Sequence, residues 1–302
     1  MKLFVFFALL GLAAAAPGQR TVLDTLTELG QTTIVELIEL AGLTDALNGE
    51  GPFTAFVPKQ EVFDNLPQEI IDEITGDLEL LAKGLTYHVA PGTFLSTDAV
   101  NEALIPSLQG AELRINIYEV DGETVATVTG VPIDLTQVDI EASNGIIHFL
   151  DFIILDVPDY NTVDTLLNFP ADSGYTFEAL AFAAGSVDAV SDALAGTDYT
   201  LLAPVDSEGF TVAVVEELLG DLDYITSVLL DHAASGTVYS VGIGARKEFT
   251  TVGGNTIVIE FTEDQGFIVT DTAGNFLADV IAGDIPTTQG VVHLLDRPII
   301  LA

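Results

Sequence analysis

The stretch Asn144–Leu155, N-G-I-I-H-F-L-D-F-I-I-L, returns near the C-terminus as Gln289–Ile300, Q-G-V-V-H-L-L-D-R-P-I-I. A chain of 302 residues that repeats such a run once, about half its length later, is two copies of one plan. In the first copy Ile146, Ile147, Phe149, Leu150, Phe152, Ile153 and Ile154 form a nearly unbroken apolar run behind a turn-prone Asn144-Gly145. It is too short to cross a membrane, so it predicts a strand buried on both faces. The few polar members recur in register: His148 and Asp151 as His293 and Asp296. Buried polar groups are hydrogen-bonded, so these four and Asn144 are expected to be satisfied core residues.

The rest of each copy puts helices before strands. Thr21 to Leu47 predicts two or three short helices, with Thr33 and Glu36 spaced as a capping box and Ile34, Leu37, Ile38 and Ala41 on one face. Phe53–Pro58, F-T-A-F-V-P, predicts a short buried strand that its proline ends. Pro67 suits the first position of a helix presenting Ile70, Ile71 and Ile74 to the core, and Leu78 to His88 predicts another. Beyond Pro91-Gly92 the period changes to two. Leu113, Ile115 and Ile117 alternate with Arg114, Asn116 and Tyr118, and Asp121-Gly122 supplies a hairpin turn. The second copy follows the same order: helices from Thr162 to Leu194, a strand at Tyr199–Pro204, a helix from Leu218 to His232, and strands from Ile257. Helices first and strands after argue for an α+β domain rather than an alternating α/β one. The expected division is a leader at 1–16, a first domain at 17–157 and a second at 158–302, joined by the short linker Val157-Pro158-Asp159-Tyr160.

Met1 to Ala16 combines Lys2, an apolar run and a small-residue stretch, the pattern of a secretory signal peptide cleaved after Ala15 or Ala16. No hydrophobic tail of the lipid-anchor type follows, so a secreted, extracellular chain without membrane insertion is expected. The sequence holds no cysteine, which excludes disulfides, thiol catalysis and zinc-thiolate sites. Without Lys2, 7 bases face 46 acids, a net charge of −39. Such a surface repels nucleic acid and anionic membranes. It fits solubility in salty surroundings, or attraction to divalent cations or mineral, although no acid cluster has the spacing of a calcium loop.

Taken together, F-T-A-F-V-P with Phe63 and Leu66-Pro67, then Tyr87-His88, then Asp139-Ile140, then N-G-I-I-H-F-L-D, in that order and duplicated, resemble the fasciclin-like domain family (fasciclin I, beta-ig-h3 type) in two tandem copies. The resemblance implies, for each copy, a compact wedge of about seven strands with a layer of short helices. It also implies extracellular adhesion or matrix roles, and no enzyme. In animal members an Asp-Ile pair and a Tyr-His region are put forward as receptor contacts. The matching positions here are Asp139, Ile140, Tyr87 and His88 in the first copy, and Asp284, Ile285 and His232 in the second, where Asp231 stands in the tyrosine's place. Other departures are Lys59-Gln60 after the first strand, Gln289 for asparagine, and Arg297-Pro298 in the last strand.

Four histidines, His88, His148, His232 and His293, form two equivalent pairs. Each follows apolar residues, and their spacing fits no local metal motif, so they read as core residues and neither a metal nor a catalytic set is assigned. G-x-S-x-G, H-E-x-x-H and phosphate-loop motifs are missing, and no cofactor is expected. The expected function is adhesion or matrix contact with extracellular or cell-surface protein or glycan partners. Two readings from other classes stand beside it: a soluble carrier of an apolar small molecule such as a pigment or lipid, and an acidic matrix protein associated with cations or mineral.

Overall fold

The structure, a computed structural model, describes residues 20–301. The expected leader at 1–16 lies outside the described residues. The chain divides into two compact units: residues up to Ile115 with Ala126–Val157 form one, and Asn116–Val125 with the residues from Pro158 onward form the other.

The first unit begins with three short helices, α1 (Val22–Glu28), α2 (Thr32–Leu40) and α3 (Thr44–Leu47). After them come β1 (Phe53–Pro58), α4 (Gln60–Asp64), α5 (Gln68–Gly76), α6 (Leu78–Tyr87), β2 (Val89–Pro91) and β3 (Ala103–Pro106). The hairpin β4 (Glu112–Val120) and β5 (Glu123–Val128), of which Glu112–Ile115 and Ala126–Val128 belong to this unit, precedes β6 (Val131–Pro132), β7 (Ile140–Ala142) and β8 (Gly145–Leu150). The strands make two four-stranded sheets, ordered β2-β1-β8-β7 and β3-β4-β5-β6. At the centre of the first, β1 and β8 run parallel, from Phe53 opposite Gly145 to Pro58 opposite Leu150. Parallel pairs need cover on both faces. The helices supply one cover, with Val22, Leu26, Ile34, Ile38, Leu81 and Leu85 packed on Ala55, Val57, Ile147 and Phe149. Phe56, Leu113, Ile115, Val128 and Leu150 fill the other side.

The second unit holds α7 (Thr162–Leu167), α8 (Glu178–Ser186), α9 (Asp188–Leu194), β9 (Tyr199–Pro204), α10 (Val212–Leu218), α11 (Leu222–Leu230) and β10 (Ala233–Ser235). It continues with β11 (Arg246–Thr250), β12 (Thr256–Thr262), β13 (Gly266–Asp271), β14 (Phe276–Thr287) and β15 (Gly290–Leu295). Here the strands form one seven-stranded sheet, β10-β9-β15-β14-β13-β12-β11. Its parallel pair, β9 with β15, repeats the register of the first unit, Tyr199 opposite Gly290 through Pro204 opposite Leu295.

Several local expectations change. The apolar run does not continue as strand to Leu155: β8 ends at Leu150, and Asp151 and Phe152 are exposed before Ile153 and Ile154 turn back into the core. Asp151 is therefore no core residue. It forms an ion pair with Lys59 Nζ at 2.5 Å, which also meets Asp134 at 3.2 Å, so the residue that departs from the family pattern ties together the ends of β1 and β8. Its counterpart Asp296 is half-buried, accepting the Asp279 N–H at 2.9 Å and hydrogen bonds from Arg297.

The expected capping box at Thr33 and Glu36 is absent, because α2 starts at Thr32 without a local side-chain cap. Gln60, from across the unit, accepts the Thr33 N–H at 3.0 Å and donates to Thr33 Oγ1 at 2.7 Å. The box occurs instead at Thr21 and Asp24, opening α1. In the second unit Asp206 does for α8 what Gln60 does for α2, accepting the N–H groups of Glu178 and Ala179 at 2.8 and 2.9 Å.

Helix α5 buries no residue fully, so Ile70, Ile71 and Ile74 are only half-covered. The helix expected from Leu218 to His232 is interrupted, and Asp221 caps a new start at α11. In β4 the expected alternation fails because Arg114, Asn116 and Tyr118 are buried too. Arg114 is paired with Glu102 at 2.9 Å, and within the second unit Asn116 and Tyr118 both donate to the Thr237 carbonyl. The hairpin turn at Asp121-Gly122 is as expected, both residues taking positive φ (53° and 84°).

Candidate functional site

The candidate residues gather around two histidines in each unit. His88 and His232 follow the last turns of α6 and α11, and each is buried. Nδ1–H of His88 donates to the Gly84 carbonyl at 2.8 Å, and Nε2 accepts the N–H of Ile154 at 3.3 Å. His232 repeats this with the Val228 carbonyl and the Ile299 N–H, both at 2.8 Å. Each ring thus ties a helix end to the segment that follows the last strand of its unit.

His148 and His293 stand in β8 and β15 with the opposite tautomer. Nε2–H donates to the Phe94 or Val238 carbonyl (2.8 and 2.9 Å), and Nδ1 accepts the N–H of Asp139 or Asp284 (3.3 Å in each). All four rings are therefore neutral, with both nitrogens engaged. Burial holds each below the ordinary histidine value, His232 down to about 4. Asn144 is buried and hydrogen-bonded to three partners on the α1 and α3 side of its unit.

Asp139 and Asp284 take left-handed backbone, φ +56° and +60°, where a non-glycine residue is strained. Their side chains explain why they are held there. Asp139 accepts the Ser96 N–H at 2.8 Å and the Ser96 hydroxyl, and Asp284 accepts the same two groups of Ser240, the N–H at 2.6 Å. Both serines open single 3-10 turns, Ser96–Asp98 and Ser240–Gly242. Burial works against the charged form of Asp139, but the Ser96 hydrogen bonds outweigh it and keep the carboxyl below its usual range. The serines escaped the sequence reading, although one stands 43 residues before the Asp-Ile pair in the first copy and 44 before it in the second. Asp139→Ala removes a charged acceptor of two hydrogen bonds and leaves strained backbone, so it is expected to cost about 2 kcal/mol of stability in urea unfolding.

The remaining candidates lie mostly inside. Tyr87 is 0% exposed, its hydroxyl donating to the Glu112 carbonyl at 3.0 Å and meeting Thr129 Oγ1 at 2.9 Å. Asp231, at the equivalent place in the second unit, is buried as well and accepts from Thr251 and Asn255. Ile140 and Ile285 are half-buried against their cores. So Tyr87, His88 and His232 present almost no surface for a partner, and the Asp-Ile pairs present only part of theirs.

Among the described residues no group of three or more His, Asp or Glu is placed to hold a metal ion, and no helix is long and apolar enough to cross a membrane. Residues 30–156 and 176–301 each match the fasciclin domain. An uncharacterized protein of Synechocystis sp., sll1735, is 37% identical over 124 residues, which cover 41% of this chain and 88% of that protein. Transforming growth factor-beta-induced protein ig-h3 of Sus scrofa is 27% identical over 92% of this chain, which spans 39% of the length of that relative. A solved FAS1 domain pair from the insect cell adhesion molecule fasciclin I aligns with 90% of this chain and 97% of that chain, at 19% identity and a TM-score of 0.40. With its repeated parallel strand pair, its repeated buried histidines and both copies matched over most of their length, the chain belongs to the fasciclin domain family.

Proposed function

We propose that the protein works outside the cell as an adhesion or matrix component, engaging a basic protein partner by surface contact. Fasciclin domain proteins are non-enzymatic adhesion proteins, and the expected leader at 1–16 supports secretion. The observation that carries the reading is an apolar pair left in solvent at the same place in both copies. Helices α6 and α11 are each opened by an aspartate cap, Asp77 and Asp221. Their first turns expose Leu78 (51%) with Leu80 (55%), and Leu222 (57%) with Tyr224 (41%). The residues that hold these helices down are others: Leu81 and Leu85, Ile225 and Leu229. Single exposed leucines are ordinary; the same pair exposed in both copies of a duplicated fold is a more specific sign of a contact surface.

Acids surround these pairs in sequence, Asp77 and Glu79 in one copy and Asp221 and Asp223 in the other. With a net charge of −38 over the whole chain, sulfated glycans and anionic membranes are repelled, and a basic protein surface is attracted. Replacing Leu78, Leu80, Leu222 and Tyr224 together by serine is expected to weaken adhesion of protein-coated beads to matrix or cells while the melting temperature stays within a few degrees. Wild-type beads that adhere to nothing at any salt or calcium level, or a variant that adheres as well as wild type, would overturn the proposal.

A further inference from the structure

Strand β14 does not run straight along β15. Its pairing slips twice, between Val280 and Ala282 and again between Ala282 and Ile285, and Asp284 takes its left-handed backbone inside this stretch. The bowed strand borders a cleft of about 210 Å³ within the second unit. Apolar walls come from Ile243, Ile259, Phe267 and Val280, and Ser240, Asp284 and His293 line the polar part. Gly283 is needed at the rim, since a Cβ there would sit 2.7 Å from His293 Nδ1. Matching the Asp-Ile pairs puts Val138 of the first copy at the place of Gly283.

The polar groups of this cleft can accept hydrogen bonds but have little to donate. His293 gives its one N–H to the Val238 carbonyl, and its other nitrogen takes the Asp284 N–H. The Ser240 hydroxyl gives its proton to Asp284. The Asp284 carboxylate receives two bonds from Ser240, and each of its oxygens keeps lone-pair capacity for another donor. A cavity of about 150 Å³ holds benzene, so this one has room for an aromatic ring with a short chain.

We propose that the cleft formed by Ile243, Ile259, Phe267 and Val280 is a binding site for small apolar amines, the ring resting on these side chains and the ammonium donating to Asp284. The charge of the chain favours the same ligands, and a carboxylate or phosphate would meet no donor and a negative field. The site is independent of any adhesion partner.

Calorimetric titration of the full chain with 2-phenylethylamine, 2-phenylethanol and phenylacetate, matched in shape and differing in charge, tests the assignment. The amine is expected to bind one to one. The alcohol should bind roughly tenfold or more weakly, since a hydrogen bond between charged groups is lost, and phenylacetate should not bind. Val280→Trp, which enlarges one wall of the cleft, is expected to abolish amine binding. Asp284→Asn, in which the amide nitrogen can donate to the Ser240 hydroxyl, should bring the amine down to the level of the alcohol. Equal binding of all three probes, unchanged amine affinity in either folded variant, or no amine binding at millimolar concentration would each overturn it. If Val280→Trp does not fold, the probe series and Asp284→Asn decide.

Discussion

Asn144→Ala is expected to lower the stability of the first unit by about 3 kcal/mol, one of the largest effects of any single polar substitution in this chain. The carboxamide accepts the Val22 N–H at the start of α1 (2.8 Å) and donates to the carbonyls of Leu47 (2.8 Å) and Gly49 (3.0 Å) at the end of α3. It therefore joins the helical layer to the turn before β8, and alanine leaves a buried donor and two acceptors without their partner. An orphaned buried group costs about 1–3 kcal/mol, more than a hydrogen bond contributes when both partners are removed. The second copy provides the control. Gln289 bonds the Thr162 N–H at 3.1 Å and the carbonyls of Leu194 and Gly196 at 2.8 and 3.0 Å, but it is half-buried and its Gly196 end faces solvent, where water can substitute. Gln289→Ala is accordingly expected to cost about half as much. Urea unfolding of both variants measures this, and equal losses would mean that water reaches Asn144 as well.

The same pair of residues shows what the sequence made legible. The departure from Asn to Gln changes the side chain and keeps the three classes of partner, because both are primary amides with the same donors and acceptors. The duplicated parallel strand could be read from Ile146 to Leu150 because a strand covered on both faces has nothing polar to alternate with. Asp151 was misplaced for the same reason: an apolar run on both sides of it looked continuous, although the strand had ended and Lys59 was its partner. The cap of α2 was beyond a local reading, since Gln60 reaches Thr33 through the fold. The cleft beside Asp284 arises from slips in strand pairing, and register slips have no sequence period. The comparison of Gly283 with Val138 was the one signal at hand.

Acidification from pH 7.5 to 5 at high salt is expected to destabilise the protein, because two neutral histidines hold each unit together. Their folded values lie below the ordinary one through burial. The unfolded chain takes up these protons as pH falls through about 6.5, while the folded chain does not until its own lower values are reached. Stability is therefore complete above about 6.5 and is lost on the way down. For His232 the loss continues to about 4, which amounts to about 3 kcal/mol for that ring alone. The bonds lost are specific. A second proton would have to go on Nε2 of His88 and His232, which accept the Ile154 and Ile299 N–H groups, or on Nδ1 of His148 and His293, which accept those of Asp139 and Asp284. An opposing effect comes from the acidic surface, whose self-repulsion is relieved when ordinary carboxylates protonate near pH 4. At about 1 M salt the Debye length is near 3 Å and that relief is small, so the histidines dominate between pH 6.5 and 5. Urea unfolding across this window gives the slope, and His232→Gln, whatever its absolute stability, is expected to reduce it by about 1.4 kcal/mol per pH unit. A flat profile, or an unchanged slope in that variant, would mean that the buried rings admit a proton without losing their backbone partners.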